Sequence, residues 1–334
     1  MKDGGFLPYD VIIPVKNGAR YVLDAIESCL QQTKKPCHIY VIENHSEDNT
    51  FQLVSDYIIA NSLNLCVKLT RSPGVGVSMA RNFGISISHA PILAFLDSDD
   101  IWEKDKMELQ IPLLRKYSLV HGGSTVVDEE NNQLRIEMPK ESSSFSAIYE
   151  LDYPVSGSAS SVICLRKELE KIHGFDEKLD LAEDLDLWIR LSSLRGFGAV
   201  YKPIVRIRVH ENRTQSLSRN IEFKLREINS ILYVLAKNQE IYPDVNFPYS
   251  KVVTWYVLDT RFNLKFLWLL QRNFRSSYLG FQITNSRLIS VYFGSLNFIL
   301  FKKFRILRLI RRIFLKLLII LKIREYGDVV KDGS

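Results

Sequence analysis

Residues 10–43 read DVIIPVKNGARYVLDAIESCLQQTKKPCHIYVIE, and this stretch decides the fold. Asp10–Val15 is a short β-rich run that is apolar on both sides, and His38–Ile42 is another. Between them, Gly18–Gln32 carries Val22, Ile26, Cys29 and Leu30 at helical spacing. Strands buried on both faces read as continuous apolar runs, and a helix between two of them lets the pair run parallel. The pattern repeats outward: a helix is expected over Asp48–Ala60, a strand over Cys66–Thr70, a helix over Val77–Ser88 and a strand over Pro91–Leu96. The expectation is an α/β fold with a mostly parallel sheet flanked by helices. From about Leu119 the pattern is mixed, with β-like stretches at Leu119–Val127 and Ser160–Leu165 and a helix at Ala182–Leu194. After about Arg219 the chain reads as helical, so a boundary is expected near residue 215, with a first domain over 1–215 and a helical region over 216–334.

Three of the expected strands end on polar groups: DVIIPV on Lys16–Asn17, HIYVI on Glu43–Asn44, and PILAFL on Asp97–Ser98–Asp99–Asp100. An open parallel sheet binds ligands just beyond the carboxyl ends of its strands, and it would gather these three endings along one edge. The acidic cluster is the sharpest signal. Carboxylates so close in sequence repel unless a cation lies between them, and a hard divalent ion bridging substrate phosphates needs only one or two carboxylates. Asp100 also suits the N-cap of a helix beginning near Glu103.

The order VIIPVKNGARYVLDAIESCLQQT, VIENHSEDNT, GVSMARNFGI, LAFLDSDDIWEKDKM resembles the family 2 glycosyltransferases of the GT-A, nucleotide-sugar-binding fold. A later stretch, IHGFDEKLDLAEDLDLWIRL, is similar to that family's second acidic motif, and the resemblance spans roughly residues 9–215. It implies an inverting, metal-dependent transfer of a sugar from a nucleotide-sugar, a UDP-sugar by analogy, onto an acceptor hydroxyl. The cofactor it implies is Mn²⁺ or Mg²⁺. By the same resemblance Pro14, Val15 and Asn17 would line the nucleotide pocket. Glu43 and Asn44 stand where the family usually has two aspartates, and Glu43 keeps a carboxylate able to accept from a uracil N3–H. Arg81 would face the nucleotide. Asp97 would touch ribose or metal, with Ser98 beside it on the donor, and Asp99 would bind the metal that bridges the diphosphate. Asp184 would be the catalytic base, with Glu183 the next candidate, and His210 would complete the metal sphere. Acidic residues in a first helical turn also suit the macrodipole, so Glu183–Asp184 has a purely structural reading as well.

Two other assignments fit less well. A nucleotidyltransferase would need a glycine-rich loop after the first strand, and KNGAR is too poor in glycine. A decayed, non-catalytic membrane module would have lost Asp99 or Asp184, and both are present. Gly74 and Gly76 lack a third glycine at position 79, so the dinucleotide fingerprint fails.

The 334 residues are 46% hydrophobic and 25% charged, which is ordinary for a globular chain. The net charge of +6 is unevenly placed. Thr260–Arg324 holds fourteen Lys or Arg and no Asp or Glu, leaving 30 basic against 38 acidic residues elsewhere. Within it, residues 298–323 place Ile306, Ile310, Ile313, Phe314, Leu317, Leu318 and Leu321 on one side of a helix. Most of the Lys and Arg fall on the other. A basic amphipathic helix suits an anionic membrane surface, whereas nucleic acid has no use for the apolar face. Packing of that face on the catalytic domain is the structural alternative. A lipid-linked or saccharide acceptor would suit such a dock. No apolar run approaches the ~18–20 residues of a membrane span, and MKDGGFLPYD lacks the apolar stretch of a signal peptide. The expected location is cytoplasmic, peripheral on the inner face of the membrane. Cys29, Cys37, Cys66 and Cys164 show no metal spacing and are expected as buried free thiols.

Overall fold

The computed structural model describes residues 7–139, 158–210, 221–242 and 244–245. The chain divides into two compact units, Met1–Pro248 and Tyr249–Ser334, and all described residues lie in the first. The basic segment 298–323 therefore falls outside the described residues.

Strands β1 (Tyr9–Val15), β2 (His38–Glu43), β3 (Val67–Arg71) and β4 (Ile92–Phe95) lie in the order β3-β2-β1-β4, all parallel. Helices α1 (Val22–Leu30) and α2 (Thr50–Ala60) supply Val22, Ala25, Ile26, Cys29, Val54 and Ile58 to one core with Val11, Ile13 and Val15 of β1. Helix α3 (Val77–Ile87) covers the opposite face, over Ile12. Gly84 permits that approach, because a Cβ there would stand 2.6 Å from Ile12 Cγ2. Both faces of β1 are thus covered, which is why its seven residues are all buried.

Beyond β4 the sheet changes character. Its next strand is β8 (Ile163–Leu165), antiparallel to β4, followed by β6 (Leu119–Val127), β9 (Phe197–Arg208) and β5 (Ile101–Trp102), with β7 (Gln133–Glu137) paired to β6. The pair β6·β9 is parallel, whereas β6·β8, β6·β7 and β5·β9 are antiparallel. The sheet is therefore mixed, and the expected parallel order holds for its first half. Because β8 runs against β4, the residues entering β8 lie beside the end of β4.

Helices α4 (Lys106–Gln110) and α5 (Arg166–Lys171) are short. Helix α6 (Glu183–Arg195) is buried continuously from Leu185 to Ser192. It packs between β6 and helix α7 (Ile221–Ile241), which buries Leu225, Ile228, Ile231, Leu232 and Leu235 at helical spacing. The expected boundary near residue 215 falls between β9 and α7, and both elements belong to the first unit. Among the described residues no helix is long and apolar enough to cross a membrane.

Two expectations are corrected. Asp100 caps no helix: it precedes β5, and α4 begins only at Lys106. Cys29 and Cys164 are buried, but Cys37 is exposed because it lies in the turn before β2.

Candidate active site

Parallel pairing of β2, β1 and β4 brings their carboxyl ends to one edge, as the sequence suggests. The chain turns sharply there. Of seven non-glycine residues with positive φ among the described ones, four flank this edge: Asn17 (+53°), His45 (+56°), Ser158 (+49°) and Ala182 (+60°). Such backbone is uncommon for non-glycine residues and collects at functional sites.

On the β1–β2 side, Asn44 N–H donates to the Val15 carbonyl at 2.7 Å, beside buried Pro14. Asn17 N–H donates to Ser46 Oγ at 2.9 Å, and Asn17 Oδ1 accepts from Glu47 N–H at 2.8 Å. Glu43 is buried and accepts from the Ser46 N–H. Its other oxygen lies 3.5 Å from Arg71 Nε, and that guanidinium sits over the Phe51 ring. Asn44 Oδ1 accepts from Gly76 N–H at 3.2 Å. Gly18 keeps Ser98 close, because a Cβ there would stand 3.2 Å from Ser98 Oγ.

The two acidic motifs meet through Arg81. Its Nη2 donates to Asp97 Oδ1 at 2.7 Å and its Nη1 to Glu183 Oε1 at 2.8 Å. Arg81, expected to face the nucleotide, is buried between these carboxylates with its guanidinium over the Phe175 ring. Asp97 spends one oxygen on Arg81 and has the other 3.3 Å from Ser158 Oγ. Glu183 is thus committed to an ion pair, and Asp184 is not. The Asp184 carboxyl accepts only the Leu185 N–H among the described hydrogen bonds, and it remains partly open to solvent. Desolvation, then repulsion from Glu183, pushes its pKa up to about 6, against the opposing pull of Arg81.

Asp99 turns the other way, with Oδ2 2.9 Å from His210 Nε2. On the far side of the ring, His210 Nδ1 is 3.5 Å from Glu129 Oε1. Arg20 donates to Glu129 Oε2 at 2.5 Å and, by that hydrogen bond first, holds its carboxyl below the usual range. Asp100 faces inward, accepting from Ser160 Oγ at 2.5 Å and from Arg208 N–H at 3.0 Å. Burial first, then the charges of Asp99 and Asp97, raise its pKa well above the ordinary value. Asp97, Asp99 and Asp100 therefore have three different environments despite their adjacency.

Among the described residues no group of three His, Cys, Asp or Glu converges on one cation position. Asp99 and His210 do stand together, and one carboxylate with one imidazole is a donor pair that a borderline ion such as Mn²⁺ accepts more readily than the harder Mg²⁺, with the remaining ligands from water and phosphates. Glu129 lies on the Nδ1 side of the His210 ring, where an outer partner that orients the imidazole would stand. The donor set fits a divalent ion held by two protein side chains.

Several residues here escaped the sequence reading. Ser158 and Ser160 reach Asp97 and Asp100 only because β8 is antiparallel to β4, and GSASS by itself reads as a polar linker. Buried Arg208 donates to the Asp99 carbonyl at 3.0 Å and the Glu129 carbonyl at 2.8 Å, and stacks over Tyr21. Its place two residues before His210 was the one available signal.

Residues 10–171 match the family model described as glycosyl transferase family 2. An uncharacterized glycosyltransferase of Rickettsia typhi is 27% identical over 233 residues, covering 66% of this chain and 70% of that protein. The amylovoran biosynthesis glycosyltransferase AmsB of Erwinia amylovora is 24% identical over 206 residues, covering 58% and 66%. Among solved structures, S. aureus TarS 1-349 in complex with UDP-GlcNAc is similar in fold, with a TM-score of 0.50 and 16% identity over 88% of this chain and 81% of that one. This match over the strand-end motifs, with the similarity to these glycosyltransferases, supports a family 2 glycosyltransferase.

Proposed function

We propose that the chain transfers a sugar from a UDP-sugar to an acceptor hydroxyl with inversion, aided by Mn²⁺ or Mg²⁺. The observation that carries this reading is the split between Glu183 and Asp184: Arg81 locks the first, while among the described residues the second has no ion-pair partner and its carboxyl pKa is pushed up to about 6. Asp184 takes the acceptor hydroxyl proton as the oxygen bonds to the anomeric carbon, and the diphosphate leaves from the opposite face. No covalent intermediate is needed. Asp99 and His210 would hold the divalent ion, which would offset charge on the departing diphosphate. Pro14, Val15, Asn17, Glu43, Asn44 and Ser98 line the nucleotide side, and Arg81 and Asp97 fix the wall between donor and base. The fold neighbour solved with UDP-GlcNAc supports a UDP-sugar donor. UDP release measured over a panel of nucleotide-sugars with Mn²⁺, Mg²⁺ or chelator tests the reading; release from no donor, with or without metal, would sink it.

Asp99→Asn should weaken metal-dependent UDP binding by more than the about 10–100-fold that loss of an outer-sphere partner costs, with the fold intact. Calorimetry with UDP and Mn²⁺ checks this, and unchanged affinity would remove Asp99 from the metal site.

The acceptor belongs to surface polysaccharide or lipid-linked glycan assembly, and residues 298–323 dock the enzyme on the cytoplasmic leaflet. Support comes from the segment's sequence: a one-sided apolar face within a stretch free of acidic residues. The full chain should sediment with anionic vesicles, less so at high salt, while a chain ending near residue 290 stays in the supernatant and still releases UDP. Equal behaviour of the two chains on anionic vesicles would refute the dock.

A further inference from the structure

Helix α6 carries a second carboxylate that proton transfer does not use. Asp186 lies two residues after Asp184 and is fully buried. Its Oδ2 accepts from Arg190 Nε at 2.8 Å, and also from Arg190 Nη2. Its remaining donors come from α7: Lys237 Nζ stands 3.0 Å from Oδ1, and Asn238 Nδ2 3.2 Å from the same oxygen. Lys237 Nζ also donates to Asp176 at 2.7 Å, in the segment leading to α6. One ammonium thus ties the approach to α6 and the first turn of α6 to a helix beyond the family-matched residues 10–171.

Beside the Arg81–Glu183 pair, the start of α6 has no other anchor of this kind among the described residues. Its N-cap is Ala182, in the left-handed region at φ +60°, with no side-chain cap. An uncapped helix end frays unless tertiary contacts hold it. Asp184 sits in that first turn, and Arg81 restrains only its neighbour Glu183. We infer that Lys237 is a positioning residue for the proton acceptor: by clamping Asp186 to Asp176 it fixes the first turn of α6, and with it the Asp184 carboxyl. The inference rests on Asp184 being the base. General-base catalysis needs the carboxylate within hydrogen-bond reach of the acceptor oxygen, so a small drift of this turn lowers turnover and leaves donor binding alone.

The test measures UDP release from the nucleotide-sugar that the full chain cleaves fastest, with UDP–Mn²⁺ affinity and folded fraction measured in parallel. Lys237→Met should slow release by about ten- to a hundredfold with affinity and folded fraction unchanged. Lys237→Arg should restore most of the rate. In an Asp184→Asn background Lys237→Met should add no further loss, since both act through one carboxylate. Asp176→Asn, a milder change that loosens Lys237 from one side, should give an intermediate loss and serves if Lys237→Met does not fold. A wild-type rate in Lys237→Met or Asp176→Asn beside an inactive Asp184→Asn overturns this inference alone, as does a loss that tracks donor affinity. A wild-type rate in Asp184→Asn overturns the base assignment and this inference with it.

Discussion

Asp184→Asn should lower glycosyl transfer by about 10²–10⁴-fold, the range for losing a general base, while making the folded chain more stable at neutral pH. Both effects have one origin. Burial and Glu183 raise the Asp184 pKa from 3.8 to about 6 in the folded chain. Well below pH 3.8 the carboxyl is protonated in both states and carries no penalty. As pH rises from there to about 6, the unfolded chain ionises first and the folded state loses stability; above that the penalty is complete. The amide never ionises, so the variant should gain stability at pH 7–8 and nothing well below the unfolded carboxyl's 3.8. The wild-type rate should rise with pH through a midpoint near 6, because the base works only when ionised. Chemical denaturation at the two pH values and a pH–rate profile check these points. A variant that is both inactive and less stable at pH 8 would make Asp184 a structural residue.

Arg81→Met should destabilise the chain by about 3 kcal/mol or more, the consequence of removing one member from a buried charge cluster. The guanidinium has 4% of its side chain exposed and is the counter-ion of Asp97 and Glu183. Methionine fills similar space but leaves two carboxylates facing each other across the site. Arg81 also lowers the Asp184 pKa, so its loss should move the acid limb of the rate profile to higher pH. Arg81→Lys keeps the charge but cannot span both carboxylates with one planar fork, and should fall between the two. Urea unfolding and the pH profile of UDP release give both readouts. A destabilisation below about 1 kcal/mol, typical of an exposed pair, would show that Arg81 is not the hub of this cluster.

Much of this was written in local patterns. The strands DVIIPV and HIYVI and the helix between them followed from apolar spacing, and β1 and β2 match those spans within one residue. The edge carrying Asn17, Glu43 and Asp97 followed as well, because parallel neighbours must end on the same side. The antiparallel β8 was not legible. A three-residue strand carries no direction in its sequence, and its orientation is set by the strands already beside it.

The sequence by itself determined where the candidate residues stand: a carboxylate cluster after β4, a Glu-Asp pair opening α6, and a histidine after β9. Only the tertiary structure decided which partners each of them meets. Arg81 reaches Asp97 and Glu183 from α3. His210 takes Asp99, and Ser160 with Arg208 takes Asp100. Each carboxylate's behaviour depends on its charge partner and its burial, and those are supplied by residues far away in the chain. Neighbours in sequence such as Asp99 and Asp100, or Glu183 and Asp184, therefore differ in ways that no local pattern encodes.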